Sequence, residues 1–137
     1  MNVVGKTLLT IVTATFNAIK AGRQEQLVRC VQSVARLPVR HEHLIIDGAS
    51  SDGTVKVLRE LARSYKDVRI VSERDSGIYD AYNKGARCAA GEWVHYLGCD
   101  DYIISPENMV AAISQAESDK LDFIVSPVRY GQDNAHG

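Results

Sequence analysis

The stretch TLLTIVTATF, residues 7–16, decides the fold class of this chain. It is a continuous run of β-branched and apolar residues, and its length suits one strand. Such a run is typical of a strand that is buried on both faces, as strands in parallel sheets are. We therefore predict that residues 7–16 form a central strand of a sheet that carries helices on its faces.

Helical and strand patterns alternate along the rest of the chain. In residues 24–38, Leu27, Cys30, Val31 and Val34 recur at helical spacing, which predicts a helix packed on one side. Further strands are predicted at 41–48, 68–73, 92–97 and 121–127, and further helices at 54–67, 78–91 and 105–119. Since a parallel strand is reached only through a crossover, this alternation predicts an α/β fold with a mostly parallel sheet.

Length and charge limit the number of domains and the kinds of partner. The chain has 137 residues, 45% of them hydrophobic, which fits a single domain over residues 1–137. Its net charge of -1 lacks the basic excess of a protein that binds nucleic acid nonspecifically. We predict no nucleic acid partner.

The cysteines and the apolar runs indicate the compartment. Cys30, Cys88 and Cys99 show no paired spacing, so we expect free thiols in a reducing environment. No apolar run approaches the roughly 18 residues that a membrane-spanning helix needs. We therefore predict a cytoplasmic location.

Four polar loops follow the first four predicted strands: 13–18 (TATFNA), 47–54 (DGASSDGT), 73–77 (ERDSG) and 97–101 (LGCDD). In open α/β sheets, ligands bind beyond the carboxyl ends of the strands, where these loops lie. Two familiar phosphate loops can be tested. Residues 5–7 (GKT) look like the end of a P-loop, but they come before the first strand instead of after it, and the loop after the first strand lacks G-x-G-x-x-G. A P-loop enzyme and a Rossmann dehydrogenase are disfavoured.

Four acids in these loops have a structural interpretation, and three of them also have a functional one. Asp47 could accept hydrogen bonds from a nucleobase or form a local turn with Gly48. Asp52 is a capping residue by its position before a helix. Asp100 and Asp101 are adjacent, as ligands of Mg²⁺ or Mn²⁺ can be, although such a pair also occurs in turns and caps.

The combination of these blocks resembles a known family. TIVTATFNA (10–18), IIDGASSDGT (45–54) and the long stretch 72–101, which ends in GCDD, resemble family-2 glycosyltransferases of the GT-A fold, in particular bacterial enzymes of cell-surface polysaccharide synthesis. The likeness covers the nucleotide-sugar-binding half. It implies a Rossmann-like α/β sandwich, and the 137 residues would form one donor-binding domain that stops before the acceptor-binding part.

The resemblance also implies roles for individual residues. It implies Mn²⁺ or Mg²⁺ at Asp100 and Asp101, which match the end of the family's D-x-D motif, although Gly98 stands where many relatives carry its first acid. Lys84, which could otherwise be a solvated helix cation, is assigned with seven others to the nucleotide sugar: Thr13, Thr15, Asn17, Asp47, Asp75, Asp80, Asn83 and Lys84.

The implied reaction moves a hexosyl group from a nucleotide sugar, with UDP favoured, to a saccharide or a lipid-linked acceptor. The implied enzyme inverts the anomeric centre with help from a metal, and contact with the inner face of the cytoplasmic membrane would follow from a lipid-linked acceptor. We find no general base in the sequence and expect it outside this chain, so this piece alone could be inactive. A noncatalytic nucleotide-sugar-binding module and a scaffold or oligomerisation domain stay open as alternatives.

Overall fold

The computed structural model describes residues 7–130, which form four strands and four helices in strict alternation. The elements in chain order are β1 (Leu9–Thr15), α1 (Gln24–Ala35), β2 (His41–Asp47), α2 (Thr54–Ser64), β3 (Val68–Ser72), α3 (Ile78–Cys88), β4 (Trp93–Tyr96) and α4 (Pro106–Ser118). Each was predicted at nearly the same bounds. The first and last residues of the predicted domain, 1–6 and 131–137, lie outside the described part.

The sheet is parallel, in the order β3-β2-β1-β4. The first strand lies inside the sheet: Leu9 pairs with His41 of β2 on one side and with Trp93 of β4 on the other. All strands point the same way, so their carboxyl ends meet at one edge of the sheet. The predicted α/β fold with a parallel sheet and flanking helices is confirmed.

Alternate residues of β1 supply two separate cores. Ile11 packs with Cys30 and Val34 of α1 and with Ile113 of α4, while α2 covers the neighbouring part of the same face. Val12 points to the opposite face, where α3 packs. This two-sided burial explains why β1 is apolar throughout instead of alternating with charged residues.

Helix α3 approaches the sheet closely through Gly85. A β-carbon at this position would collide with the side chain of Val12, so the helix could not pack at its observed depth with any other residue. Glycine inside a helix lowers helix stability by about 1 kcal/mol relative to alanine. The close contact with β1 gives that cost a structural reason, and it sets the depth of the helix beside the carboxyl edge.

The fifth strand predicted at 121–127 is absent from the described part of the chain. After α4, residues 121–130 contain no strand, and Phe123 and Val125 are about four-fifths exposed. The prediction was wrong because an apolar composition favours a strand only where a neighbouring strand offers backbone partners.

Between residues 7 and 130, every helix is too short or too polar to span a bilayer.

Candidate functional site

Asp47 organises the carboxyl edge of the sheet. Its side chain is fully buried at the end of β2 and accepts four hydrogen bonds: from Thr15 Oγ1 at 2.9 Å, Ser50 Oγ at 2.6 Å, Ser50 N at 2.9 Å and Ser72 Oγ at 2.9 Å. The donors come from the ends of β1 and β3 and from the loop after β2. A carboxylate has about four acceptor positions, so these bonds saturate it. The predicted contact between Asp47 and a nucleobase stays a prediction. For that contact to form, one of these four hydrogen-bond donors would have to leave Asp47.

The loops after β1 and β2 are joined to each other. Asn17 donates its backbone N–H to Ser50 Oγ at 2.8 Å and accepts from Ser51 N through Oδ1 at 3.0 Å. Asp52 accepts from Lys20 N at 2.7 Å and, at the start of α2, from Thr54 N at 3.1 Å. Burial alone would raise the pKa of Asp52, but these hydrogen bonds outweigh it and hold the pKa below its ordinary value. Asp52 thus accepts from the first backbone N–H of α2, as predicted for a capping residue, but from the position before the N-cap residue Gly53.

A cleft of about 410 Å³ opens at this edge, between β1 and the start of α3. Its walls are mainly apolar, with a hydroxyl and a carboxylate as polar groups. Thr15 and Asp75 supply those polar groups. The lining residues are Ala14, Thr15, Phe16, Gly48, Asp75, Gly77, Ile78 and Ala81.

The loop after β3 forms one wall of this cleft, and α3 holds it in place. Asp75 Oδ1 accepts from Gly77 N at 3.1 Å, and Asp80 Oδ2 accepts from Ser76 N at 2.9 Å. Lys84 Nζ donates to the carbonyl oxygen of Arg74 at 2.6 Å.

Lys84 and Asn83 differ in exposure although they are neighbours on α3. The Lys84 side chain is only 17% exposed and lies 3.2 Å from Glu73 Oε1 and 3.8 Å from Asp80 Oδ2. It therefore stabilises the wall of the cleft and is not an ordinary solvated helix cation. Asn83 is exposed on the same helix.

Asp100 and Asp101 follow β4, and both are exposed. Their carboxylates converge on Gly98, because a β-carbon built there would lie 2.6 Å from Asp101 Oδ2 and 3.2 Å from Asp100 Oδ1. The space that a side chain would fill therefore lies between carboxylate oxygens, the ligand type that Mg²⁺ and Mn²⁺ prefer. The donor set suits a divalent cation, and the glycine at the first position of the motif leaves room for it.

The acid pair alone would not enclose a cation. Within residues 7–130, no group of three or more His, Cys, Asp and Glu side chains is gathered as a metal cage. Magnesium commonly binds through one or two carboxylates and completes its shell with substrate phosphates and water. A cation at Asp100 and Asp101 would therefore need oxygens from a ligand.

Helix α1 carries the loop that contains the acid pair. Cys30 Sγ lies 3.6 Å from the carbonyl oxygen of Gly98, and Ile103 N donates to Ser33 Oγ at 3.0 Å. The Arg29 guanidinium lies 4.4 Å from the centre of the Tyr102 ring, which is a cation–π distance. These contacts hold the loop on both sides of the acids.

Tyr82 connects the acid pair with the cleft. It follows the cleft residue Ala81 on α3, and its ring centre lies 4.8 Å from that of Tyr96. Burial raises the pKa of Tyr82, and the charges of Asp101 and Asp100 raise it further. Tyr96 ends β4, four residues before Asp100, so the helix that forms one wall of the cleft lies against the strand that leads into the acid pair.

Thr13 lies apart from the other predicted residues. It is fully buried inside the sheet, where its Oγ1 is 2.8 Å from His43 Nε2 and 3.9 Å from Cys30 Sγ. Burial lowers the pKa of His43 to about 4 and raises that of the Cys30 thiol to about 12. Both side chains are therefore neutral near pH 7.

Two residues of the site were missed by sequence reasoning. Phe16 directly follows β1 and lines the cleft while 66% exposed, and an aromatic residue next to the end of a buried strand was the available signal. Arg23 forms an ion pair with Asp100, 77 residues later in the chain. No local pattern in the sequence indicates that contact.

Comparisons with known proteins identify the family of this chain. The family model described as "Glycosyl transferase family 2" matches residues 10–136. The chain is 32% identical over 85 residues to "PGL/p-HBAD biosynthesis glycosyltransferase" of Mycobacterium bovis, an alignment that covers 61% of this chain and 33% of that protein. The chain thus spans about a third of the length of this relative.

Two solved structures share the fold. The S. aureus protein TarS, residues 1–349, in complex with UDP-GlcNAc, superposes with a TM-score of 0.68 at 20% identity, covering 82% of this chain and 32% of that one. The mannosyltransferase PcManGT from Pyrobaculum calidifontis, in complex with GDP-Man and Mn²⁺, gives a TM-score of 0.69 at 21% identity, covering 82% and 33%.

Proposed function

Because this chain belongs to glycosyl transferase family 2, we propose that it forms the donor-binding part of a glycosyltransferase. The transferred hexosyl group would leave a nucleoside diphosphate, most simply UDP, for a saccharide or lipid-linked acceptor. The observation that carries the proposal is the meeting of two features at one sheet edge: the cleft at Thr15 and Asp75, and the exposed acid pair beside it.

The cleft suits the nucleoside. Its apolar walls at Ala14, Ile78 and Ala81 can cover the face of a base, and the exposed Phe16 ring offers a stacking surface. Thr15 and Asp75 can bind hydroxyl groups of the ribose. Asp47 and Asn17 do not line the cleft, and their hydrogen bonds hold the loops that form its walls.

The acid pair suits the diphosphate. A divalent cation held by Asp100 and Asp101 would neutralise the charge that develops on the departing nucleoside diphosphate, an effect worth several kcal/mol. The chain's own contribution is to hold the two carboxylates together beside Gly98 on a loop that is docked on α1. Asp80, Asn83 and Lys84 lie on one side of α3, and we assign them to the sugar.

The remaining steps are proposed at the level of the family resemblance. Inversion at the anomeric centre requires a general base that removes a proton from the acceptor hydroxyl. We assign neither that base nor the acceptor site to any of the described residues, 7–130. A lipid-linked acceptor would bring the cytoplasmic protein to the inner face of the membrane, and flotation with acceptor-loaded vesicles would test that contact.

Calorimetric titration tests the donor site. UDP, GDP, UDP-GlcNAc and GDP-mannose are titrated with and without Mn²⁺ into the wild type, into Asp100→Ala/Asp101→Ala and into Glu60→Ala/Glu107→Ala. The control variant removes two exposed carboxylates from α2 and α4. We expect metal-dependent binding to weaken at least about tenfold, or about 1.4 kcal/mol, in the first variant only.

The other outcomes separate the alternatives. Equal metal-dependent binding by the wild type and the Asp100/Asp101 variant would refute the metal role. No binding of any nucleotide by the wild type would refute donor binding and favour a scaffold. Binding of a nucleotide sugar by a protein that never transfers the sugar would favour a noncatalytic module.

A further inference from the structure

Arg23 forms an ion pair with Asp100, one of the two acids assigned to the metal, and its positive charge is permanent. It precedes the first residue of α1, and its Nη1 pairs with Asp100 Oδ2. The Arg23 side chain is 49% exposed and that of Asp100 is 42% exposed, so both remain accessible to a ligand. The pair lies at the position where a diphosphate and a cation would meet under the proposed function.

The pair is not needed to hold the loop in place. Helix α1 already contacts the loop at Gly98, Tyr102 and Ile103, through Cys30, Arg29 and Ser33 respectively. None of these three contacts involves Arg23. The effect of Arg23 on Asp100 is therefore primarily electrostatic.

Arg23 and a divalent cation would compete for Asp100. An oxygen that accepts a guanidinium hydrogen bond has one lone pair fewer for coordination, and two cations on one carboxylate repel each other. Because half-exposed ion pairs contribute only about 0.2–1 kcal/mol, this competition reduces metal affinity by a few-fold and does not prevent binding. A diphosphate would provide the displaced guanidinium with new acceptors, for which its planar donor geometry is well suited.

We infer that Arg23 is a positioning residue that changes partner during donor binding. Without donor it neutralises Asp100; when a cation occupies Asp100, the guanidinium moves to the diphosphate oxygens. This inference rests on the proposed function. Its consequence is positive coupling: the metal binds weakly alone, and the nucleoside diphosphate strengthens metal binding because it receives Arg23.

Two measurements on Arg23→Gln test the exchange. The first is the affinity for Mn²⁺ alone, from the electron paramagnetic resonance signal of the free ion. The second is the affinity for UDP or GDP, whichever the wild type binds, at saturating Mn²⁺. We expect Mn²⁺ alone to bind roughly two- to fivefold tighter in the variant, and the nucleotide to bind about tenfold weaker.

Arg29→Gln is the matched control. It removes the same charge from the same helix, but Arg29 contacts an aromatic ring instead of a carboxylate. We expect both affinities of this variant to stay within about twofold of the wild type, because Arg29 contacts neither carboxylate and the contacts of Cys30 and Ser33 still hold the loop. Opposite signs in the two measurements, seen in Arg23→Gln alone, are the signature of partner exchange.

Each other result overturns the inference. Weaker binding in both measurements would make Arg23 a structural support of Asp100, and unchanged binding in both would leave it without a role. If Asp100→Asn/Asp101→Asn abolishes metal binding while Arg23→Gln matches the wild type, only the partner exchange fails. If the wild type binds neither Mn²⁺ nor a nucleotide, the proposed function fails and the exchange fails with it.

Discussion

Asp47 and the pair Asp100–Asp101 are acids at the carboxyl ends of strands on the same edge of the sheet, but their surroundings are opposite. Asp47 is fully buried, with four hydrogen bonds from three neighbouring segments. The pair is exposed, and Asp100 forms an ion pair with the half-exposed side chain of Arg23. A saturated carboxylate shapes the protein, whereas a carboxylate with free acceptor positions can bind a ligand.

The largest expected effect is on stability at the saturated acid. Asp47→Ala leaves the hydroxyl groups of Thr15, Ser50 and Ser72 without their common acceptor. We expect the free energy of unfolding to fall by about 3 kcal/mol, measured by urea denaturation. A loss below 1 kcal/mol would contradict the view of Asp47 as the residue that joins three strand ends.

A second effect tests the buried region through pH. The depressed pKa of His43, about 4 in the folded protein, means that the unfolded chain binds more protons below pH 6.5. Stability from neutral His43 is therefore complete above pH 6.5 and is lost as the pH falls towards 4, by roughly 2 kcal/mol at pH 5.

The matched variant for this effect is His43→Gln. The pKa of His41 is raised by its hydrogen bond with Asp67, so His41 contributes with the opposite sign, and its contribution stays in both proteins. The difference between wild-type and variant unfolding curves at pH 7 and pH 5 isolates His43. Equal losses of stability in both proteins would show that His43 is not buried in neutral form.

The third effect concerns the space between the exposed acids. Gly98→Ala places a β-carbon 2.6 Å from Asp101 Oδ2, and the flexible carboxylate can move away at little cost in stability. We expect nucleotide affinity in saturating Mn²⁺ to fall about tenfold, or about 1.4 kcal/mol, in calorimetry. Unchanged affinity would show that the two carboxylates do not act together at this point.

The smallest expected effect is on stability at the exposed pair. In Asp100→Asn/Asp101→Asn we expect the free energy of unfolding to change by less than about 0.5 kcal/mol, because only a half-exposed ion pair is lost. Urea denaturation beside Asp47→Ala gives the direct contrast. A loss comparable to that of Asp47→Ala would place both acids in the same structural class.

The sequence predicted the elements better than it predicted contacts between them. The buried run of β1 and the helical spacing of Leu27, Cys30, Val31 and Val34 are local patterns, and the structure confirms both. The fifth strand failed because a strand depends on a partner elsewhere in the chain. Local patterns indicate which segments can form helices or strands, but a segment joins a sheet only where a neighbouring strand pairs with it.

The candidate site shows the same limit. Because ligands bind beyond the carboxyl ends of strands in open α/β sheets, the sequence alone indicated the four loops and both sets of acids. It could not tell that Asp47 is saturated, that Thr13 points into the core, or that Arg23 reaches Asp100, because each fact depends on a contact between distant segments. Residue type indicates what a side chain can bind, and only the fold shows what it already binds.

The position of β1 has a consequence for how this protein folds. Of the described strands, β1 comes first in the chain and lies inside the sheet, and the segment that pairs with one of its edges comes much later: Thr10 Oγ1 accepts a hydrogen bond from Gly91 N, 81 residues further along the chain. Sheets built from such distant pairings form slowly, since a large loop must close before either strand gains a partner. During synthesis, β1 therefore lacks its second neighbour until β4 has left the ribosome, and the apolar strand keeps one unpaired edge over that interval.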